Sequence, residues 1–200
     1  MSSQRETENH PSALAQVLSE ADAIDRAVYI AIATTDTPVL DGPMTRLSDL
    51  ANYSRLWFGV AGALAVFGGR PGRQAALRGL LAVGVASAVA NLVVKNIFDR
   101  RRPHRPDHPE RRAARMPDST SFPSGHTASA FAFAFAASSS MPLLALPLVS
   151  LAAAVGYSRV HTGVHYPGDV LVGFILGSVI GTTLPYVLDH HVARSHSCRT

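Results

Sequence analysis

Apolar residues along this chain fall into blocks, not into stripes. Residues 75–94 and 170–188 carry almost no polar positions, apart from Arg78 near the start of the first. Neither shows the polar face at helical spacing expected on the surface of a soluble bundle. Both are close to the ~20 residues that cross a bilayer core. Gly84, Gly173, Gly177 and Gly181 recur inside them, as in helices that pack closely in lipid. Three more apolar stretches, 56–69, 127–137 and 143–157, complete the pattern; the first is short for a span and draws on its flanks. Between the blocks the chain predicts a basic turn over Arg70 to Gln74, a break over Ser138 to Pro142, and a polar loop from Lys95 to Phe122 dense in Arg, Pro and His.

The N-terminal quarter reads differently. Residues 12–33 have helical character, but Glu20, Asp22, Asp25 and Arg26 interrupt the apolar positions. Such a helix lies at an interface rather than spanning. Asp36, Pro38, Gly42 and Pro43 predict a loop, and Met44 to Asn52 a second short helix. The fold expected is therefore all-α: a membrane-embedded helical bundle of about five apolar helices, preceded by N-terminal amphipathic helices. The divisions expected are a disordered tail over 1–10, interfacial helices over 11–53, a helical catalytic domain over 54–188 and a polar tail over 189–200. There is no internal repeat.

Composition narrows the choice of partner. The net charge of the 200 residues is +4, and Lys95 is the only lysine. Much of the positive charge is gathered between Arg100 and Arg115, which points to a local anionic ligand. No basic–aromatic alternation suggests nucleic acid. Cys198 is the single cysteine, so one chain can form neither a disulfide framework nor a cysteine metal cluster. Met1 to Pro11 lacks the apolar core of a signal peptide, so insertion uses internal segments. Alternation of the spans puts Arg70, Arg73, the 138–142 break and the tail with Arg194 and Arg199 on one face, and 95–122 with 158–168 on the other. The positive-inside rule makes the first face cytoplasmic. The Arg-rich loop opposes that count, but its arginines alternate with Asp99, Asp107, Glu110 and Asp118. The expectation is a multi-pass cell-membrane protein with its active groups on the extracytoplasmic face.

Three polar clusters share that face, each at the end of an apolar segment: Lys95 with Arg102-Pro103, then Pro123-Ser124-Gly125-His126, then Ser158-Arg159 with His165 and Asp169. Together they read as a phosphate site. Lys95, Arg102 and Arg159 offer a point charge and two planar forks to phosphate oxygens. Ser124 and Gly125 stand at a helix start, where unpaired N–H groups and the dipole favour an anion. His126 is placed to protonate a leaving oxygen. Asp169, four residues after His165, meets it at the start of a helix opened by Pro167. A carboxylate there fixes the imidazole tautomer and leaves the other ring nitrogen to act as nucleophile or base.

These residues resemble the signature of the type-2 phosphatidic acid phosphatase superfamily: Lys-x6-Arg-Pro, Pro-Ser-Gly-His and Ser-Arg-x5-His-x3-Asp, every fixed position of which is present. The resemblance covers roughly residues 75–188. With Leu56-Trp57 and the run from Tyr157 to Asp169, it is similar to actinobacterial lipid phosphatases. It implies a helical bundle, hydrolysis of a phosphomonoester or pyrophosphate without a metal or other cofactor, and a phosphohistidine intermediate. It implies His165 as nucleophile, Asp169 as its partner and His126 as acid/base, with Lys95, Arg102, Ser124, Gly125 and Arg159 binding phosphate. The substrate class is a lipid phosphate in the bilayer: phosphatidic acid, phosphatidylglycerol phosphate, a polyprenyl pyrophosphate or a polyprenyl-linked phosphosugar. Residues 12–52 depart from six-span members of the family, being too charged to span.

Blander roles are expected elsewhere. His161, off the spacing, is structural or at the pocket rim. His104 and His108 are loop residues, and His190, His191 and His196 belong to a solvated tail. Arg100 and Arg101 compete for the phosphate contact, but the spacing favours Arg102. Arg105, Arg111, Arg112 and Arg115 are expected as surface charge near lipid headgroups. Phe131, Phe133 and Phe135 are packing or lipid-facing residues. Two other functions fit the same residues: a non-catalytic membrane protein that binds an anion, and a vanadate-dependent haloperoxidase, which resembles the same motif set.

Overall fold

A computed structural model describes residues 12–104, 112 and 114–197, with backbone alone from 192 onward. The expectations for residues 1–10, for His108, Arg105 and Arg111, for the side chains of Arg194 and His196, and for Cys198 and Arg199 fall outside what is described. The described residues form helices and no strand.

Helix α1 runs Ala13–Thr34 from a Ser12 N-cap, whose hydroxyl accepts from the Ala15 N–H at 3.3 Å. It is nearly all exposed, including Leu14, Val17, Leu18, Ile24 and Val28; Tyr29 alone is buried. Tyr29 packs edge-on against Tyr166, ring centroids 5.3 Å apart, which docks the end of α1 on the site described below. Helix α2 runs Pro38–Leu50, six residues earlier than the sequence predicts. Pro38 opens the helix rather than delaying it, because its fixed φ suits the first helical position. Gly42 and Pro43 lie within the helix.

After a left-handed turn at Tyr53 and Ser54 (φ +55° and +57°), α3 (Arg55–Phe67) and α4 (Gly69–Ala88) form a tight hairpin. The reversal sits at Gly68 and Gly69 (φ +60°), not at Arg70 to Gln74. A Cβ on Gly72 would lie 2.2 Å from the Leu64 carbonyl oxygen, so only glycine lets the two helices close here. Arg70 and Pro71 belong to the first turn of α4, where proline loses no intrahelical bond. Helix α4 then widens into a π-helical segment, Val89–Val94, and ends in a turn at Lys95–Ile97. Helix α5 (Gly125–Ser138) is the axis of the bundle. Ten of its residues are buried, among them Phe131 and Phe133. Phe133 packs on Trp57 at 5.0 Å and Phe131 on Phe174 at 4.6 Å, so these two phenylalanines pack inside the bundle. Helix α6 is Ala145–His161 and α7 is Pro167–Ser197. The polar stretch after Leu188 continues α7 to Ser197, and Asp189 within it pairs with the buried Arg78 of α4.

Three helical stretches are long and apolar enough to cross a membrane: Gly69–Ile97, Pro142–His161 and Pro167–His191. Helices α3 and α5, at 13 and 14 residues, are shorter than such a crossing. The apolarity of α5 serves the core: Ala128, Ala132 and Ala136 pack with Ala82 and Ala86. Its backbone lies directly against α7. Cβ atoms on Gly173, Gly177 and Gly181 would come within 2.6, 2.3 and 2.7 Å of the carbonyl oxygens of Ser124, Ala128 and Ala132. This is the small-residue packing the sequence predicts. The ends of α4 and α6 and the starts of α5 and α7 meet at one end of the bundle, and the chemistry-bearing residues are there.

Candidate active site

Five of the eight sequence-predicted site residues, Lys95, Arg102, Gly125, His126 and His165, line a cavity of about 230 Å³. Tyr53, Trp57, Ser87, Asn91, Ser119 and Ser129 complete much of its wall. The other three stand behind the wall. Ser124, Arg159 and Asp169 are each 0% exposed.

Each element delivers its residue for a local reason. Lys95 sits one residue past the π-helical segment of α4; such a widening turns the residues that follow it and is frequent at functional sites. Its Nζ donates to the Ser119 hydroxyl at 3.0 Å. Arg102 follows in the loop and is held by three backbone carbonyls and by the Ser119 hydroxyl, which accepts from Nη2 at 3.2 Å. Its Nε donates to the Ser119 carbonyl at 2.8 Å, Nη1 to the Val164 carbonyl at 2.9 Å and Nη2 to the Thr120 carbonyl at 3.1 Å. Nη1 also lies 3.3 Å from His165 Nε2. An arginine can only donate, so this contact makes Nε2 the acceptor and puts the ring proton on Nδ1. His165 Nδ1 is 3.5 Å from Asp169 Oδ2, an ion-pair distance rather than a short hydrogen bond. The order is that of an imidazole whose Nε2 lone pair is on the cavity side, in a long contact with Arg102, and whose N–H is turned to a carboxylate. Burial above all, and then Arg102 and Arg159 against the pull of Asp169, push the His165 pKa down to about 4. The ring is neutral at physiological pH.

Asp169 occupies the third position of α7 and reaches back to accept the Tyr166 N–H at 2.9 Å, the reciprocal bond of a capped helix start. The Ser121 hydroxyl donates to its Oδ2, and Arg100 Nη1 to its Oδ1 at 2.9 Å. Arg100 also bonds Asp22 Oδ1 at 2.8 Å and Asp25 Oδ2 at 2.7 Å. Burial opposes its charge, but Asp25 and Asp169 outweigh burial and hold its pKa above the usual arginine value. Arg26 first, and then Arg100, hold the Asp22 carboxyl below its usual range.

The start of α5 is capped by Ser124, whose hydroxyl bonds the Thr127 hydroxyl at 2.9 Å and accepts the Thr127 N–H at 3.4 Å. The serine side chain is thus spent on the cap, and the groups this turn leaves for an anion are the N–H groups of Gly125 and His126, which have no intrahelical acceptor. His126 Nε2 lies 3.1 Å from Asn52 Oδ1. Arg159 is held from α2, with Nη1 donating to the Ser48 carbonyl at 3.0 Å and the Ser48 hydroxyl at 2.7 Å.

His161 lies outside the cavity wall, buried against Asp41 at 3.1 Å, in keeping with a structural role. Arg112 corrects the expectation of surface charge. It is 0% exposed, paired with Asp41 at 2.6 Å, and caps the carbonyls of Ile32, Ala33 and Thr35. A guanidinium with five donors suits a corner where a helix ends with unpaired carbonyls. His104 is exposed in the loop, as expected. The sequence reading missed Ser48, Asn52, Ser119 and Ser121, and passed over Arg100 in favour of Arg102. The one signal for Arg100 was its place between Lys95 and Arg102. The others carry no spacing signal, because they act across 60 or more residues or from within an irregular loop.

No group of three or more His, Cys, Asp or Glu able to hold a metal ion occurs among the described residues. The site is instead a cationic hollow with two imidazoles, one of them backed by a carboxylate.

Comparison with known proteins gives this arrangement a family. The chain is similar to the decaprenylphosphoryl-5-phosphoribose phosphatase of Mycobacterium tuberculosis, with 32% identity over 170 residues, covering 80% of this chain and 89% of the relative. It is also similar to the undecaprenyl-diphosphatase of Bacillus subtilis, 30% identical over 119 residues, which cover 60% of this chain and 61% of that protein. The crystal structure of a transmembrane PAP2 type phosphatidylglycerolphosphate phosphatase from Bacillus subtilis superposes with a TM-score of 0.66 at 26% identity, covering 90% of this chain and 89% of the other. Residues 75–192 match the PAP2 superfamily as a whole, and with all three signature clusters gathered at one end of an all-helical membrane bundle, the chain belongs to that superfamily.

Proposed function

We propose that this PAP2 phosphatase hydrolyses a lipid-borne phosphomonoester or diphosphate by way of a phosphohistidine on His165. The observation that carries the reading is the convergence of Lys95, Arg102, His126 and His165 on one cavity of about 230 Å³, with the His165 lone pair turned inward. Lys95, Arg102 and the N–H groups of Gly125 and His126 take the phosphate oxygens, and Arg159 adds charge from behind. Fixed donors of this kind favour the charge that spreads over the equatorial oxygens in the transition state.

In the first step His165 Nε2 bonds to phosphorus as the bond to the leaving oxygen breaks. That oxygen keeps the electron pair and takes a proton from His126. Asp169 stays ionised and stabilises the imidazolium through Nδ1–H. In the second step His126 removes a proton from water as the water oxygen bonds to phosphorus. The P–N bond breaks and its electron pair returns to Nε2. The balance needs no redox partner. His126 enters the first step as the imidazolium and recovers its proton in the second; burial, and then Arg159, hold its pKa well below the usual histidine value, so it carries that proton only with the anionic phosphate in the cavity.

Both curated relatives described above are named for polyprenyl-linked substrates, which puts a polyprenyl-linked phosphosugar or pyrophosphate first among the four lipid classes. The same geometry supports a multi-pass arrangement with the site on the extracytoplasmic face. Arg70 and Arg73 lie at the opposite end of the bundle, and three of the loop arginines that oppose the positive-inside rule are engaged: Arg100 and Arg112 in ion pairs, Arg102 in backbone hydrogen bonds.

The test is phosphate release by detergent-purified protein, with chelator present, across polyprenyl phosphosugar, polyprenyl pyrophosphate, phosphatidylglycerol phosphate and phosphatidic acid. Wild type releases phosphate, and His165→Ala falls by roughly 10³-fold or more. Equal turnover by folded His165→Ala overturns the mechanism. Release abolished by chelator overturns its metal independence.

A further inference from the structure

The family match begins at residue 75, yet the first helix of the chain reaches the reacting pair. Arg100 is the link. Its guanidinium presents Nη1 to Asp169 Oδ1 at 2.9 Å, and Nη2 to Asp22 at 2.8 Å and Asp25 at 2.7 Å. Its planar face lies 4.3 Å from the centre of the Tyr166 ring, so it cannot swing toward the helix start. Asp25 makes a second attachment: its Oδ1 accepts the Gly168 N–H at 2.7 Å, and a Cβ on Gly168 would come within 2.9 Å of its Oδ2. One α1 carboxylate thus caps the second residue of α7 and also holds the arginine that grips the third.

The acceptor sites of Asp169 divide cleanly. Oδ2 serves the inner side, with Ser121, the Tyr166 N–H and His165. Oδ1 serves the outer side, with Arg100. Rotation of the carboxylate would trade one set for the other, and Arg100 opposes that rotation. A fork held at three carboxylates has one geometry, whereas an ammonium on a flexible stem has many.

We propose that Arg100 is a positioning residue of the active site: through Asp22 and Asp25 it anchors the start of α7 to α1, and through Asp169 it fixes the orientation of the His165 imidazole. The role rests on the reading of His165 and Asp169 given above, and it makes α1 part of the catalytic unit. The alternative is that Arg100 and its carboxylates only hold helices together.

A double-mutant cycle separates the two. Arg100→Ala, Asp169→Asn and the double variant are purified in detergent and compared with wild type for kcat and KM on the best substrate of the panel, with thermal unfolding followed in parallel. Arg100→Lys, which keeps the charge but not the fork, is the milder variant, and the same cycle is run with it should Arg100→Ala fail to fold. The expected result is a loss of roughly 10- to 100-fold in kcat with KM changed less than about threefold, the range for removal of a group that orients a first-contact residue. In the Asp169→Asn background the same substitution then costs less than about threefold, because its target is already gone. An equal loss in both backgrounds, a change confined to KM, or no loss at all overturns the proposal. If Asp169→Asn itself retains wild-type turnover, it is the reading of Asp169 that fails, an outcome distinct from the others and one that overturns this inference with it.

Discussion

Acid pH is the most direct test of how His165 is held. A solvated imidazole titrates near 6.5; His165, buried in the cavity wall and faced by Arg102 and Arg159, has its pKa pushed down to about 4. On the proposed mechanism His165 attacks as the neutral imidazole, so the acid limb of kcat/KM reports this group in the free enzyme. At pH 5 a group of pKa 4 is about 90% neutral, and one of 6.5 about 3%. The two cases differ by roughly 30-fold in competent enzyme at that pH. The sign is fixed: lowering the pKa extends activity downward in pH, and activity is lost as pH falls through the folded value. The assay is kcat/KM for phosphate release between pH 4 and 8 at constant ionic strength in detergent. A monoester and a diphosphate substrate are run in parallel, because the substrate phosphate also titrates and its contribution changes with the substrate. Activity at pH 5 no lower than about half of that at pH 7, for at least one substrate, is the expected result. A limb near 6.5 common to both substrates would refute the reasoning, since it would mean that water reaches the ring and that the wall does not desolvate it.

Two further outcomes follow from contacts described above. Ser48→Ala removes the hydroxyl that accepts from Arg159 at 2.7 Å and leaves the backbone carbonyl at 3.0 Å. A buried hydrogen bond to a charged group contributes about 1.5–3 kcal/mol, so kcat/KM falls roughly 10- to 100-fold, and unchanged kinetics would show that Arg159 needs no support from α2. Gly177→Ala places a Cβ 2.3 Å from the Ala128 carbonyl oxygen, whereas a Cβ on Gly84 meets nothing within 4 Å. Thermal unfolding in detergent therefore shows a loss of about 1–3 kcal/mol for the first and none for the second, and equal behaviour would deny that α5 and α7 touch at that point.

The gathering of the candidate residues was legible in the sequence because helix ends supply them. Lys95, His126, His165 and Asp169 each stand at the margin of an apolar block, so spacing alone brings them to one end of a bundle. Ser48 and Asn52 were not legible. They lie 111 and 74 residues from their partners Arg159 and His126, and no local pattern marks a serine that meets an arginine across the fold. Arg112 misled for the opposite reason. A basic run reads as surface charge, but the corner between α1 and α2 offers a carboxylate and three carbonyls that only a guanidinium satisfies together. Boundaries slipped where proline and glycine were read as breaks. Pro38 and Pro71 instead sit in first turns, and the reversal of the α3–α4 hairpin falls at the paired glycines just before Arg70.

The contact of α5 with α7 has a mechanical consequence. With Gly173, Gly177 and Gly181 seated on successive carbonyls, neither helix can slide or roll without driving backbone into backbone, and the two tilt as a single strut. His126 rides on one member of the strut and Asp169 on the other, so the glycine contacts also set the spacing of these two candidate groups. The rest of the cavity wall, including the left-handed turn at Tyr53 and Ser54 and the widened end of α4 around Asn91, lies outside the strut. Substrate range can then drift through that part of the wall while the reacting groups keep their distances.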